Sequence, residues 1–347
     1  MIALILFFCA AQGLILAPYS RAGINSRRPG GPSATCLHAT STASTTPTLA
    51  PRKELFFNIV ESGLQDRFSP GDIARVLKFC AYARGEATPP VPTQPHHEPC
   101  EEYIDGLTAQ PWWDASAFDW APAVAEAAPI MRRELEAVLA QERVFLPDSK
   151  FQQTMGAGWT ALRLQRLGEW NDDNTRKFPA TSRLIQALNI PLAVRGVMFA
   201  KQAPGTGVQP HSDGRNFILT AHVGLKVPPG CSITVGGEPK GWTENGVIVL
   251  DTSFVHSTAN QGEDDRFVLI IDFWHPELSA AERDALTFIY DCRNKFESGR
   301  ARDIDCPWVK EGRPLTTKDY EASKAGFGAG IANFWSGGGF IKFNPMK

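Results

Sequence analysis

The 347-residue sequence lacks any surplus of charge: 35 Lys and Arg stand against 37 Asp and Glu, a net charge of −2 at pH 7. Nucleic-acid-binding chains usually carry a basic face, so nothing here calls for a nucleic-acid partner. Its seven cysteines (Cys9, Cys36, Cys80, Cys100, Cys231, Cys292, Cys306) include no CxxC pair. That excludes a zinc ribbon and a thioredoxin-type site, and the scattered spacing does not read as a disulfide framework. No N-x-S/T sequon follows residue 53, which weighs against residence in the ER lumen or outside the cell. No internal repeat is found, so the chain is not a solenoid.

Acidic residues are also missing from the first 53 positions; the first is Glu54. The opening "MIALILFFCAAQGLILAP" is an apolar run of signal-peptide length, broken by Gln12 and Gly13 and short for a membrane span. Residues 19–53 are rich in Ser and Thr and carry Arg21, Arg27, Arg28 and Arg52, the composition of a transit peptide. Together they resemble the bipartite presequence of plastid proteins in algae with complex plastids. The expectation is therefore a targeting presequence over 1–53, delivery to the plastid through the secretory pathway, and no stable span in the mature protein. The alternative is an N-terminal anchor holding the protein in the ER or Golgi.

Residues 54–86 read as a small helical segment. In "SPGDIARVLKFCAYARG", Ser69 and Asp72 can form a capping box and Ile73, Val76, Leu77 and Cys80 share a face. The Pro-rich "EATPPVPTQPHHEP" cannot continue a helix or strand, so residues 87–104 are expected to be a linker and 105–290 a separate domain, followed by an extension over 291–347. His96, His97, Glu98 and Cys100 could bind a metal, but in a Pro-rich linker they are expected to be solvated. "APAVAEAAPIMRRELEAVLAQE" predicts a helix with an apolar stripe of Ile130, Met131, Leu135, Val138 and Leu139. Beyond residue 156 the pattern changes to short strands: "WTALRLQRL", "VRGVMFAKQ", "NFILTAHVGLKV", "CSITVGG", "GVIVLD" and "DRFVLIIDFW". Helices are expected near 181–188 and 277–286. Strands of this length and spacing predict a mainly β fold with flanking helices, an antiparallel barrel or jelly roll.

In "QPHSDGRNFILTAHVGL" three polar side chains, His211, Asp213 and His222, crowd the start of an apolar strand. A mononuclear non-haem iron site needs two imidazoles and one carboxylate on one face of the metal. His211 and Asp213 share a side of an extended backbone, and "GVIVLDTSFVHSTAN" supplies His256 at the end of the strand Val247–Asp251. On "DDRFVLIIDFW", Arg266, Val268, Ile270, Asp272 and Trp274 share one face. An arginine on the inside of a barrel needs an anion: a dicarboxylate such as 2-oxoglutarate would provide one, as would an internal partner in Asp264, Asp265 or Asp272. His222 lies too far along the strand from His211 to ligate the same ion and is expected to reach the cosubstrate. His275 is read as a structural cap, and Asp251 as a candidate hydrogen-bond partner orienting the histidines.

These residues resemble the aspartyl/asparaginyl β-hydroxylase family. The matching pieces are "PWW" at 111–113, "KFPATSRLI", "PGTGVQPHSDGRN", "HVGLKVPPGCSI", "GWTENGVIVLDTSFVHS" and "DRFVLIIDFWHPEL", in order over roughly 106–283. The resemblance implies a double-stranded β-helix core. It further implies Fe(II) held by His211, Asp213 and His256, 2-oxoglutarate bound by Arg266 with His222 at its keto-acid end, and O2 as the second cosubstrate. Thr220 and Ala200 stand beside the cosubstrate position, where an animal member has arginine and serine; that member also has glycine in place of Asp213. The implied reaction couples oxidative decarboxylation of 2-oxoglutarate to hydroxylation of a C–H bond, on an Asp, Asn or related side chain of a protein or peptide. A lipid or small-molecule substrate, and a non-catalytic jelly-roll binding module, are the alternatives.

Overall fold

The computed structural model of the chain describes residues 51–146, 155, 156 and 158–311. The expected presequence before residue 51 and the expected C-terminal extension beyond 311 lie outside the described residues. Along the chain come helices α1 (Pro51–Arg67) and α2 (Ala74–Arg84), strand β1 (Trp112–Trp113), helix α3 (Ala121–Gln141), and strands β2 (Trp159–Arg166) and β3 (Glu169–Trp170). Helices α4 (Asp172–Lys177) and α5 (Pro179–Ala187) follow. Then come β4 (Leu192–Gln202), β5 (Thr206–His211), β6 (Ile218–Lys226), β7 (Cys231–Val235), β8 (Glu238–Lys240), β9 (Val247–Asp251), β10 (His256–Asn260) and β11 (Arg266–Trp274). Helices α6 (Ala280–Glu297) and α7 (Pro307–Lys310) end the described chain.

The strands form two antiparallel sheets, ordered β1-β9-β6-β11-β4-β2-β3 and β5-β10-β7-β8. From β4 onward the chain crosses repeatedly between them: β4, β6, β9 and β11 lie in the larger sheet, β5, β7, β8 and β10 in the smaller. That order is a double-stranded β-helix, so the expected fold class is the one adopted.

β6 and β11 read as almost unbroken apolar runs because both of their faces are covered. On β11, Phe267, Leu269, Ile271 and Phe273 pack with Val124, Ala128, Met131 and Leu135 of α3, while Val268 and Ile270 pack inside the barrel with Met198, Ile233, Val235 and Leu250. Each such side chain removed from water contributes about 1.5–3 kcal/mol, which sets the register of the central strands. The contact stripe of α3 differs from the expected one, because Ile130 and Leu139 are 44% and 36% exposed. Positions 124, 128, 131 and 135 keep the helical period better, and small Ala127 and Ala128 complete the contact.

The expected boundary at the Pro-rich segment does not divide the apolar core. Phe56, Phe57 and Leu64 of α1, Val76, Phe79 and Cys80 of α2, and Leu286, Ile289 and Phe296 of α6 form one cluster with Phe217, Ile218 and Trp274 from the barrel. The expected capping box at Ser69 is absent. The turn Pro70–Gly71 delays α2 to Ala74, whose N-cap Ile73 has no side-chain cap. A capping box forms instead at Ser279–Glu282, where it starts α6.

Candidate metal centre

His211 is the last residue of β5 and His256 the first of β10, and the two are cross-strand partners. The 44 residues between them (212–255) are the excursion through β6 to β9, so distant sequence positions become neighbours in the smaller sheet. Their ring centroids lie 4.2 Å apart. His211, Asp213 and His256 each offer a ligand atom within 4.8 Å of the others, and among the described residues they form the group suited to a metal ion. His256 thus belongs to its own strand, β10, and not to the end of β9.

The imidazoles are oriented by backbone, not by Asp251. His211 Nδ1 lies 2.8 Å from the Gln209 carbonyl and His256 Nδ1 3.0 Å from the Phe254 carbonyl. A carbonyl only accepts, so each Nδ1 carries a proton, and it is Nε2 that a neutral ring would offer as a lone pair. Asp251 instead accepts from Ser253 N at 2.9 Å, and its burial, against those Ser253 hydrogen bonds, pushes it up to about 7.

Burial opposes the charge on Asp213, but Arg195 and then the two imidazoles overcome it and hold the carboxyl far below the usual range. Burial and the neighbouring His211 lower His256 to about 4. Near neutral pH the group is therefore one carboxylate with a neutral His256, which fits a divalent cation.

Sequence reasoning missed Arg195. Its guanidinium pairs with Asp213 through Nη1 and with Asp272 Oδ2 through Nε at 3.1 Å. Thr220 Oγ1 in turn donates to Asp272 Oδ1 at 2.7 Å, so this threonine, placed beside the cosubstrate by resemblance, has its hydroxyl engaged by Asp272.

The segment expected to be a solvated linker is instead a strap joining both ligand loops. His97 stacks on Phe254 at 4.4 Å, its Nε2 lies 3.0 Å from Ser253 Oγ, and Val255 N donates to the His96 carbonyl at 2.8 Å. On the other loop, Glu102 N donates to Gly214 O at 3.1 Å, and Asn216 exchanges two 2.9 Å hydrogen bonds with Ile104. Buried Glu102 also pairs with Arg215 at 3.3 Å and with Arg293 of α6 at 3.0 Å. Cys100 is buried and His97 half-buried; the strap's polar residues hold loops.

Deeper in the barrel, Arg266 is 2% exposed. Its Nη2 donates to Gln202 Oε1 at 2.7 Å and its guanidinium carbon lies 4.6 Å from the centre of the Trp242 ring. None of the three aspartates considered as partners reaches it: Asp264 faces Lys226, Asp265 pairs with Lys201 and Asp272 with Arg195. Burial lowers Arg266 to about 10, still cationic at neutral pH. Trp242 Nε1 donates to His222 Nδ1 at 3.2 Å, which leaves Nε2–H as the donor of His222. Burial, then Arg266 and His256, push His222 down to about 3, so it is neutral. His275, expected as a structural cap, does not cap α6, whose N-cap is Ser279; it ties the turn before that helix to residue 108, since Glu277 N donates to its Nδ1 at 3.2 Å and its Nε2 lies 3.0 Å from the Thr108 carbonyl.

Fold and donor set together define the class: a double-stranded β-helix presenting two histidines and one carboxylate to a single point, the set suited to mononuclear non-haem iron. Residues 125–276 match the model of the family described as Aspartyl/Asparaginyl beta-hydroxylase, and the resemblance read from the sequence holds over that segment. The human aspartate beta-hydroxylase domain-containing protein 2 is 35% identical over 147 residues, covering 41% of this chain and 40% of that protein. The human aspartyl/asparaginyl beta-hydroxylase is 31% identical over 193 residues, covering 54% of this chain and 25% of that protein. The chain thus spans well under half the length of either relative. Among solved structures, a 2OG-Fe(II) oxygenase family oxidoreductase from Burkholderia pseudomallei is 14% identical with a TM-score of 0.31, covering 51% of this chain and 99% of that one.

Proposed function

We propose that the protein is an Fe(II)- and 2-oxoglutarate-dependent dioxygenase that hydroxylates a C–H bond of an Asp, Asn or related side chain in a protein or peptide. The observation that carries this reading is the pairing of two features in one barrel: the His211, Asp213 and His256 group, and Arg266 buried without a carboxylate partner among the described residues.

His211 and His256 would hold the metal through Nε2, and Asp213 through a carboxylate oxygen. The bound iron supplies oxygen activation coupled to oxidative decarboxylation of the keto acid. Arg266 would pair with the far carboxylate of 2-oxoglutarate, its planar fork matching a carboxylate. His222, neutral and donating from Nε2, senses both Arg266 and His256 and would hydrogen-bond the cosubstrate between them. Met198, Val235, Leu250 and Ile270 belong to the buried apolar cluster inside the barrel, a surrounding that would strengthen each charged contact.

The test is succinate release from 2-oxoglutarate by the purified protein with Fe(II) and O2, joined to mass spectrometry of proteins, peptides and metabolites for the gain of one oxygen. Oxygen gain on an Asp or Asn side chain is expected; gain on a lipid or small molecule would correct the substrate. No succinate release under any condition, with metal bound, would favour a non-catalytic binding module.

Residues 1–53 support plastid delivery through the secretory pathway. A fluorescent protein fused behind them is expected in the plastid, and retention in the ER would contradict that route. Among the described residues no helix is long and apolar enough to cross a membrane.

A further inference from the structure

We propose that Arg195 is a positioning residue for the metal: it ties one oxygen of Asp213, so that the carboxylate offers the other as a single-oxygen ligand. This rests on the metal-binding reading above. Arg195 Nη1 engages Asp213 Oδ2, while Arg195 Nε is held 3.1 Å from Asp272 Oδ2 and the other oxygen of Asp272 accepts Thr220 Oγ1. The chain Thr220–Asp272–Arg195–Asp213 therefore anchors a ligand on a loop to β6 and β11, the packed centre of the larger sheet. Asp272 is fully buried, so the anchor is set in the packed core.

The backbone is shaped to deliver this side chain. By strand alternation Arg195 falls with Val197 and Phe199, whose side chains pack in the apolar cluster under α3. The register of β4 breaks just there: Arg163 faces Met198 but Gln165 faces Val197, and Ile271 faces Val197 but Phe273 faces Leu192. Gly196 occupies the break at φ +73°, and a Cβ on it would stand 2.2 Å from the Gln165 carbonyl oxygen. Such a bulge re-aims the neighbouring side chain, and here it turns an arginine from the helix-covered face to two carboxylates in the site. With Oδ2 held, bidentate ligation by Asp213 is blocked and the open face of the metal stays open.

Charge alone predicts the opposite of this role, which makes the proposal testable by sign. Removing a cation close to a bound dication should tighten metal binding; removing a positioning residue should weaken it, by about ten- to a hundredfold for an outer-shell partner. The experiment is titration of the metal-free full chain with Co(II), followed by calorimetry and by the visible d–d spectrum, with circular dichroism confirming the fold of each variant. For Arg195→Ala we expect a Co(II) dissociation constant raised about tenfold or more and an altered d–d spectrum. Arg195→Lys, which keeps the charge but not the two-pronged grip, should fall between. Arg195→Ala binding Co(II) as tightly as the wild type, or more tightly, overturns the proposal. Should that variant not fold, Arg195→Lys decides: weaker binding with a changed spectrum supports positioning, and wild-type binding and spectrum overturn it. Absence of Co(II) binding by the wild type would defeat the metal-binding reading itself, a different result from the others.

Discussion

β11 begins at Arg266 and reaches Asp272 six residues later, roughly 20 Å along a strand, and the two places handle charge in opposite ways. Around Asp272 and Asp213 each carboxylate already has a cationic contact, because Arg195 touches both. Around Arg266 the neighbours are the amide of Gln202 and the face of Trp242, which lower the cost of a buried guanidinium without neutralising it. The difference fits the two tasks proposed for these places. A metal-binding group must have its donor atoms fixed before the cation arrives, so its charges are pre-paired. An anion site, as proposed for Arg266, would keep its countercharge vacant, and among the described residues this arginine is held by neutral groups.

The largest expected effect comes from breaking the paired place directly. His256→Ala removes one of the three proposed ligands and should weaken Co(II) binding at least about a hundredfold, more than loss of an outer-shell partner would; calorimetry reads it, and tight binding by the variant would mean the metal sits elsewhere. At the other place, Arg266→Leu should weaken 2-oxoglutarate binding about a hundredfold, the worth of roughly 3 kcal/mol of charge-assisted hydrogen bonding. Thermal melts check it: 2-oxoglutarate should raise the melting temperature of the wild type and leave that of the variant unmoved.

A subtler contrast concerns Asp251, a buried carboxyl that pairs with no cation among the described residues. Its folded value of about 7 lies above the ordinary 3.8, so the folded state keeps a proton that the unfolded state releases. The stability it contributes is full below about pH 4 and declines as pH rises to about 7, then stays level. Urea melts across that range should show the decline in the wild type and a flatter profile in Asp251→Asn. The smallest effect is expected for Trp242→Phe, which deletes the donor to His222 Nδ1: about 1 kcal/mol of stability, read by urea melts, with 2-oxoglutarate affinity reduced severalfold.

Much of this was legible in the sequence because the long apolar strands announce themselves. β4, β6 and β11 are covered on both faces, and their long, mostly apolar runs showed the barrel. The strands carrying the histidines did not: "TGVQPH" contains Gly207 and Pro210, and "HSTAN" has no large apolar residue, since the smaller sheet is only partly covered. His211, Asp213 and His256 were found through ligand chemistry and family resemblance instead. Arg195 escaped both routes, because parity on β4 assigns it to the wrong face and only the register break at Gly196 reverses the assignment. The strap over residues 96–104 escaped for another reason: a proline-rich stretch that forms no helix or strand can still be fixed by hydrogen bonds to loops more than a hundred residues away.

The claim that one metal and one anion meet in this barrel has a direct readout. Anaerobic addition of Fe(II) and then 2-oxoglutarate to the purified full chain should produce a visible metal-to-ligand charge-transfer band, which requires the keto acid to chelate the bound iron. The band should be absent from His256→Ala and should need much more 2-oxoglutarate in Arg266→Leu. A wild-type chain that binds the metal yet shows no band at any 2-oxoglutarate concentration would contradict the account.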